Sequence, residues 1–548
     1  MYARLQCRAV IAERTSTFMT NSISRSLSEV DHSHATAVRD DALSRAVGRA
    51  AMVAVLGEPP RPDGAELRAL AGRADALEVR ADLVGDLDPR WLRQHFSKTL
   101  IYTLRSAEQG GQFRGDLTER RARLQAAARV YDQIDLEWPR DTCSDVLGAV
   151  PADRRRLSRH AGEPGDLAAL NTIVDRMTDT PAALYVLSIA AGAAEDAAAV
   201  VALLAAVKRS DVTAFATGSA GLWTRILAPH LGAPVVFGQV GTGGPAGYPT
   251  LAQLQTDYGL PELAPVRCLY GIVGRSLARS LSPRLHNRAY RRLGLPALYL
   301  PFFTEDLERF WRILIPALKM ANVPLGGLTI ISPFKERAMD LADHASAVAA
   351  HCGAANIAWR DGEAWAADTT DTSIMAALVA RGITPREQRV AVVGCGAAGR
   401  AIAAALALAG AEVVLVNRSW GRGRFAERLL ALPFVPLDTF SPVGFTLIVH
   451  AAPVTDRLPF PLAGLSRDAV VVELVYADTT TPLMREAGAR GLATVDGWQV
   501  LAAEVAMQFE RMTRRTMPTI SMLDWPVPFQ AIDPPVGSVM SPAVEESR

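Results

Sequence analysis

Lysine is almost missing from this chain. Among 548 residues only Lys98, Lys208, Lys319 and Lys335 carry an ammonium, and arginine supplies the rest of the basic charge. A guanidinium stays protonated in proteins, whereas an ammonium can share or release its proton, so a lysine kept in such a chain is a candidate for chemistry. Cysteine is scarce as well: Cys7, Cys143, Cys268, Cys352 and Cys395 are scattered, with no CxxC pair. That spacing argues against structural zinc and against a disulfide framework; it fits a reducing cytoplasm, and no metal is expected. Neither sign of charge is in excess, with 58 basic against 57 acidic residues, so nothing points to nucleic acid or an anionic membrane. No apolar run has the length and purity of a membrane span. The first fifty residues, rich in Ser, Thr and Arg, lack the continuous apolar stretch of a signal peptide.

What is present is enough apolar sequence, 49%, to build about two to four domains. Residues 1–50 read as a disordered arm, or as an upstream start wrongly chosen. Short apolar runs at 52–56, 76–80, 100–105, 133–137, 183–187 and 212–216 then alternate with helical patterns. Repeated βα units of this kind predict a (β/α)8 barrel over residues 51–260, whose strand ends carry any site. Those ends hold Glu78, Arg80, Arg105, Asp135 and Glu137, a polar cluster that packing alone does not require. Residues 256–265 read as a linker.

Beyond the linker the predicted class remains α/β. A strand at 269–274 runs into Ser280-Leu281-Ser282-Pro283, where two hydroxyls and helix-start N–H groups suit a carboxylate ligand. Lys335 follows in Ser332-Pro333-Phe334-Lys335-Glu336, and Asp371 comes after it. A strand at 388–393 then leads into Gly394-Cys395-Gly396-Ala397-Ala398-Gly399, a helix over 400–409 and a second strand at 412–416. A glycine turn set between strand and helix, with another strand following, is a dinucleotide fingerprint: the backbone approaches a pyrophosphate at a helix N-terminus. The second strand ends in Asn417-Arg418-Ser419, with Arg422 and Arg424 beyond it. An acid at that strand end binds the ribose diol of NAD; arginines there accept a 2′-phosphate, so the expected cofactor is NADP. A lysine, an acid and a dinucleotide turn together describe a dehydrogenase. Residues 516–548 are proline-rich and read as an irregular tail.

Residues 268–513 resemble shikimate dehydrogenase. The motifs are Ser280-Leu281-Ser282-Pro283, Pro333-Phe334-Lys335-Glu336, Gly353-Ala354-Ala355-Asn356, Thr370-Asp371, the glycine turn, Asn417-Arg418-Ser419, Val475-Tyr476, and Gly497 with the helix after it. The resemblance implies a substrate lobe at 267–370, a Rossmann lobe at 371–497 and a closing helix at 498–515. It implies that Ser280 and Ser282 bind a carboxylate, that Lys335 and Asp371 form the catalytic pair against the C3 oxygen, and that Asn356 and Tyr476 hold the substrate. Glu504 occupies the place of the family's substrate-facing glutamine. Ile331 and Thr369 stand where the family has threonine and asparagine, and His450-Ala451-Ala452 replaces Asn-Ala-Thr.

The first half resembles type I 3-dehydroquinate dehydratase, on Glu78-Val79-Arg80-Ala81-Asp82, Thr103-Leu104-Arg105 before Gly110-Gly111, Asp135-Leu136-Glu137, Ser158-Arg159-His160, and Ala216-Thr217-Gly218 with Thr224-Arg225. In that family Arg80, Arg105 and Arg225 would hold the substrate and His160 would be the catalytic histidine. The imine-forming lysine is replaced by Ser188, an acid by Gln109 and a late glutamine by Tyr248. Serine cannot form an imine, and Lys98 and Lys208 both precede strands, at the opposite face of the barrel. The combined order implies a fused dehydratase–shikimate dehydrogenase: NADPH-dependent, reversible reduction of 3-dehydroshikimate to shikimate in aromatic amino-acid biosynthesis, behind a barrel without Schiff-base activity. Two alternatives stay open, a fully bifunctional enzyme and a non-catalytic, ligand-sensing relative.

Overall fold

The computed structural model describes residues 48–519 apart from 58–62, 163–164, 208, 242–246, 279 and 478. The expected arm lies outside the described residues up to 47, as do the tail from 520 and Lys208. Residues 48–50 are tied down: the Ala50 amide donates to the Pro261 carbonyl and Arg49 pairs with Asp75.

Eight parallel strands form the first sheet: β1 Ala51–Leu56, β2 Ala76–Arg80, β3 Thr99–Thr103, β4 Gln133–Glu137, β5 Arg155–Gly162, β6 Leu184–Ala190, β7 Val212–Thr217 and β8 Val235–Gln239. The order is 7-6-5-4-3-2-1-8, so β8 pairs with β1, Val53 lying opposite Phe237. This is the expected barrel, nearly closed; among the described residues no ladder joins β7 to β8. Alternate strand residues face two cores. Val53, Val55, Ile101, Val186, Phe215 and Phe237 fill the interior, while Met52, Ala54, Leu77, Leu100 and Leu157 meet the helices. Burial on both faces explains why the strands read as continuous apolar runs.

β5 and β8 had no counterpart among the predicted runs. β5 opens Arg155-Arg156-Leu157-Ser158-Arg159-His160, too polar to read as a core strand. Its inward charge is neutralised inside the barrel, where Arg156 donates to Glu78 at 3.1 Å. The linker starts later than its composition suggested. Thr250 and Gln253 form a capping box on the helix Leu251–Tyr258, which ends at Gly259 with φ +76°. Thr256, Asp257 and Tyr258 therefore belong to that helix, and Asp257 accepts from Arg284 at 2.5 Å.

The second sheet comprises β9 Cys268–Gly274, β10 Ala297–Phe303, β11 Leu325–Ile330, β12 His344–Ala345, β13 Ile357–Asp361 and β14 Ala364–Asp368, in the order 10-9-11-13-14-12. The third comprises β15 Arg389–Val393, β16 Glu412–Asn417, β17 Phe434–Pro436, β18 Leu447–His450, β19 Val470–Glu473 and β20 Ala493–Val495, all parallel, in the order 17-16-15-18-19-20. Strand order reverses about β15, which creates the crevice where open α/β sheets bind ligands. The last helix, Gly497–Thr513, leaves the third sheet and packs on the second: Phe509 and Met512 share a core with Ile272, Tyr299 and Trp359. The barrel is bonded to the second sheet. Arg309 reaches Glu195 at 3.1 Å and Asp196 at 2.6 Å, Thr304 donates to Glu195 at 3.2 Å, and the Trp223 and Phe302 rings lie 5.5 Å apart.

Candidate active site

Lys335 opens a short helix, Lys335–Leu341, and the Ala355 amide donates to its carbonyl at 2.7 Å. Asp371 sits in a single helical turn, Thr370–Ser373, directly after β14. The Lys335 Nζ lies 3.1 Å from each Asp371 oxygen, and both side chains are largely buried, at 15% and 8% exposure. Burial works against the ammonium, but Asp371 and then Glu504 outweigh it, so the lysine is held above its ordinary pKa. The Thr369 hydroxyl also donates to Asp371, at 3.2 Å; the residue in the place of the family's asparagine thus supports the acid.

Glu504 projects from the last helix. Its Oε1 accepts from Asn356 Nδ2 at 2.9 Å and from Gln508 Nε2 at 3.0 Å. Asn356 in turn accepts from the Thr370 amide at 2.7 Å and the Thr370 hydroxyl at 3.0 Å. Gln508 also donates to Thr370 at 3.1 Å and accepts from Thr329, which accepts from the Tyr299 hydroxyl at 2.7 Å. Gln508, Thr329 and Tyr299 carried no signal in the sequence. Burial pushes the Glu504 carboxyl up to about 7, with Asp371 adding to the rise and Lys335 opposing it. Ser282 begins the helix Ser282–Leu293 and donates its amide to the Ser280 hydroxyl at 3.3 Å. One serine thus caps the turn that presents the other. Ile331 packs over Gly274, where an added Cβ would lie 2.2 Å from it. The Tyr476 ring lies 5.3 Å from Trp498, at the start of the last helix.

The dinucleotide turn is built for close approach. Gly394 has φ +117°, and a Cβ on Gly399 would lie 1.8 Å from the Gly394 carbonyl oxygen. A Cβ on Gly396 would meet open space. The helix Ala397–Leu408 therefore starts at Gly396 with no side-chain cap among the described residues, leaving the amides of Ala397 and Ala398 for an anion. Asn417, ending β16, accepts from the Cys395 amide at 3.1 Å and steadies the turn. Ser419 caps the next helix, Trp420–Leu430. Arg418 and Arg422 are exposed there and form no ion pair among the described residues. Arg424 is different: it pairs with Glu427 at 2.6 Å and lies over Trp420, so it is committed elsewhere. The donors present fit a dinucleotide with a phosphorylated ribose. Arg400, read only as a helix residue, is buried; it reaches Glu336 at 2.6 Å and the Cys352 carbonyl at 2.9 Å, joining the cofactor helix to the helix of Lys335. His450 donates to or accepts from Glu473 at 2.6 Å deep between β18 and β19.

At the barrel mouth, Ser188 at the end of β6 lies 2.9 Å from His160 Nδ1. Burial, then Arg105, Arg80, Arg225 and Arg156, hold His160 well below its ordinary pKa, so it is neutral. The Gln109 side chain accepts from the His160 amide at 2.8 Å. The arginines are not equally free. Arg80 is engaged by both oxygens of Asp82, and Arg105 by Asp135 at 2.5 Å and Ser158 at 2.7 Å. Glu78 is taken by Arg156. Arg225, sandwiched 3.9 Å from the ring centres of Phe215 and Tyr248, has no hydrogen-bond partner for Nε and Nη2 among the described residues. Lys98 donates to the Ala74 carbonyl just ahead of β3, at the opposite face.

Residues 51–264 match the type I 3-dehydroquinase family, and residues 272–358 match the shikimate dehydrogenase substrate binding domain. The chain is 26% identical over 491 residues to the chloroplastic bifunctional 3-dehydroquinate dehydratase/shikimate dehydrogenase of Arabidopsis thaliana, covering 83% of this chain and 80% of that protein. It is 31% identical over 260 residues to the shikimate dehydrogenase (NADP(+)) of Syntrophobacter fumaroxidans, covering 46% of this chain and 88% of that one. The protein of the same name from Halobacterium salinarum is 33% identical over 268 residues, covering 46% of this chain and 96% of that one.

Proposed function

The chain belongs to the shikimate dehydrogenase family, with a type I 3-dehydroquinase barrel fused ahead of it, and we propose on that footing that it interconverts 3-dehydroshikimate and shikimate with NADP in aromatic amino-acid biosynthesis. The observation that carries this reading is the Lys335–Asp371 pair, buried beside the crevice at which the uncapped cofactor helix begins. NADP, when bound, supplies the nicotinamide C4 that gives or takes the hydride at the carbinol carbon. Lys335, kept as an ammonium, donates to the C3 oxygen and stabilises its developing charge, while Asp371 orients the ammonium and keeps it charged. Ser280 and Ser282 receive the substrate carboxylate; Asn356, Tyr476 and Glu504 position the ring. Gly394, Gly396, Ala397, Ala398 and Gly399 cradle the pyrophosphate, Asn417 and Ser419 shape the ribose side, and Arg418 and Arg422 take the 2′-phosphate.

The barrel, in this proposal, binds a carboxylate at Arg225 and does not form an imine, because Ser188 offers no primary amine. The test is absorbance of reduced nicotinamide with purified protein, shikimate and NADP or NAD. Turnover with NADP supports the proposal; no turnover with either cofactor in either direction removes it.

A further inference from the structure

Glu504 introduces a second acid beside Asp371 and Lys335. Lys335 is held symmetrically by both oxygens of Asp371, so its charge is already matched. The groups around Glu504 come from four elements. The Asn356 amide lies ahead of β13; Thr370 and Asp371 lie in the turn after β14; Lys335 opens its own helix; Gln508 shares the helix of Glu504. On that last helix, Arg511 pairs with Asp368, and on the Lys335 helix Glu336 is taken by Arg400. Lys335 is near enough to act on Glu504, but it is bonded to Asp371; among the described residues the hydrogen-bond donors to Glu504 are neutral amides, with the Thr370 hydroxyl beside it.

An amide at this position would be satisfied by such neighbours, having donors as well as an acceptor. A carboxylate only accepts when ionised, and a desolvated one that must share its counter-charge with a second acid is unfavourable. The partner that complements such a carboxylate is a positive, multiply donating group, and a substrate amine is of that kind. We propose that Glu504 is the counter-ion of a substrate ammonium, so that this site favours an amino-substituted cyclohexene carboxylate, with the amine on a ring carbon near the reacting carbinol, over the all-hydroxyl compound. The rise of the Glu504 carboxyl towards neutrality agrees with this: a bound ammonium would reverse it and restore the charge.

The inference rests on the dehydrogenase reading above, and one experiment separates the two. kcat/KM is measured for shikimate and for its analogues with an amine at C4 or C5, using the unmodified protein, Glu504→Gln and Glu504→Asp; affinities for the same compounds are measured by calorimetry. An amino analogue should be preferred by about tenfold or more, as expected for a desolvated charge pair. Glu504→Gln should reverse that preference in kcat/KM and in affinity, while Glu504→Asp retains its direction. Shikimate favoured in the unmodified protein, with a ratio that Glu504→Gln leaves unmoved, overturns the inference and leaves the dehydrogenase standing. If no compound is oxidised, the dehydrogenase reading falls, and the affinity ratios alone decide the inference by the same criteria.

Discussion

Replacing Lys335 with methionine keeps the side-chain stem and removes its charge. Asp371, at 8% exposure, and Glu504 would then face one another across the site with no cation between them. Breaking a buried ion pair by deleting one partner costs about 3–5 kcal/mol. The Thr369 hydroxyl still donates to Asp371, which places the expected loss near the lower end, roughly 3 kcal/mol. Its pH dependence is specific. Removing Lys335 removes the influence that lowers Glu504, so the carboxyl moves further above its unfolded value. A folded-state pKa above the unfolded one gives stability that is present at low pH and lost as pH rises through the folded value. The variant should therefore approach the parent near pH 5 and fall behind it above neutrality. The assay is thermal unfolding followed across pH, beside kcat, which should drop by on the order of 10² or more, with NADP affinity retained. A stability deficit equal at all pH values would refute the uncompensated-charge explanation, and near-normal kcat would remove Lys335 from the chemistry.

Arg418→Ala with Arg422→Ala should raise the KM for NADP while sparing NAD, each phosphate contact being worth about 1.5–3 kcal/mol; equal use of both cofactors by the parent would contradict the assignment. Because Lys335 is held above its ordinary pKa, the ammonium persists to high pH. Reduction, which needs it, should show no loss traceable to Lys335 across the neutral range, whereas alcohol oxidation, which needs the proton gone, should climb with pH without a plateau there; Asp371→Asn should bring the plateau into view. Borohydride added with 3-dehydroquinate should leave no covalent mass on the barrel, and Ser188→Lys alone should restore little dehydration, since Gln109 and Tyr248 remain; an adduct on a barrel lysine in the parent would show an imine after all.

The dinucleotide turn was legible because its glycines answer to one local demand: at Gly399 a Cβ has nowhere to go. Lys335 and Asp371 were legible through the scarcity of lysine and the order of the motifs around them. What escaped was pairing. β5 looks unlike a strand until Glu78 of β2 and Arg105, just past β3, arrive to meet its Arg156 and Ser158. Arg400 gives no hint that it reaches Glu336, 64 residues earlier. The barrel arginines were correctly suspected as a cluster, but the sequence could not tell that Asp82 and Asp135 had engaged two of them, nor that Glu427 had engaged Arg424. Residue type announces what a side chain is able to do; only the fold says whether that capacity is already used.

The ties of Glu195 and Asp196 to Arg309, and of Trp223 to Phe302, come from the helical turn Ala194–Ala197 that follows β6 and the helix Leu222–Leu227 that follows β7, both beyond the strand ends that form the barrel mouth. The apolar core runs without a break from barrel residues such as Val200 and Trp223 into Phe302, Phe310 and Leu314. A lineage carrying this chain has no clean place to cut. Deleting the barrel would strip the neighbouring sheet of part of its own core, so the second half depends on the barrel's shape whatever the barrel's chemistry.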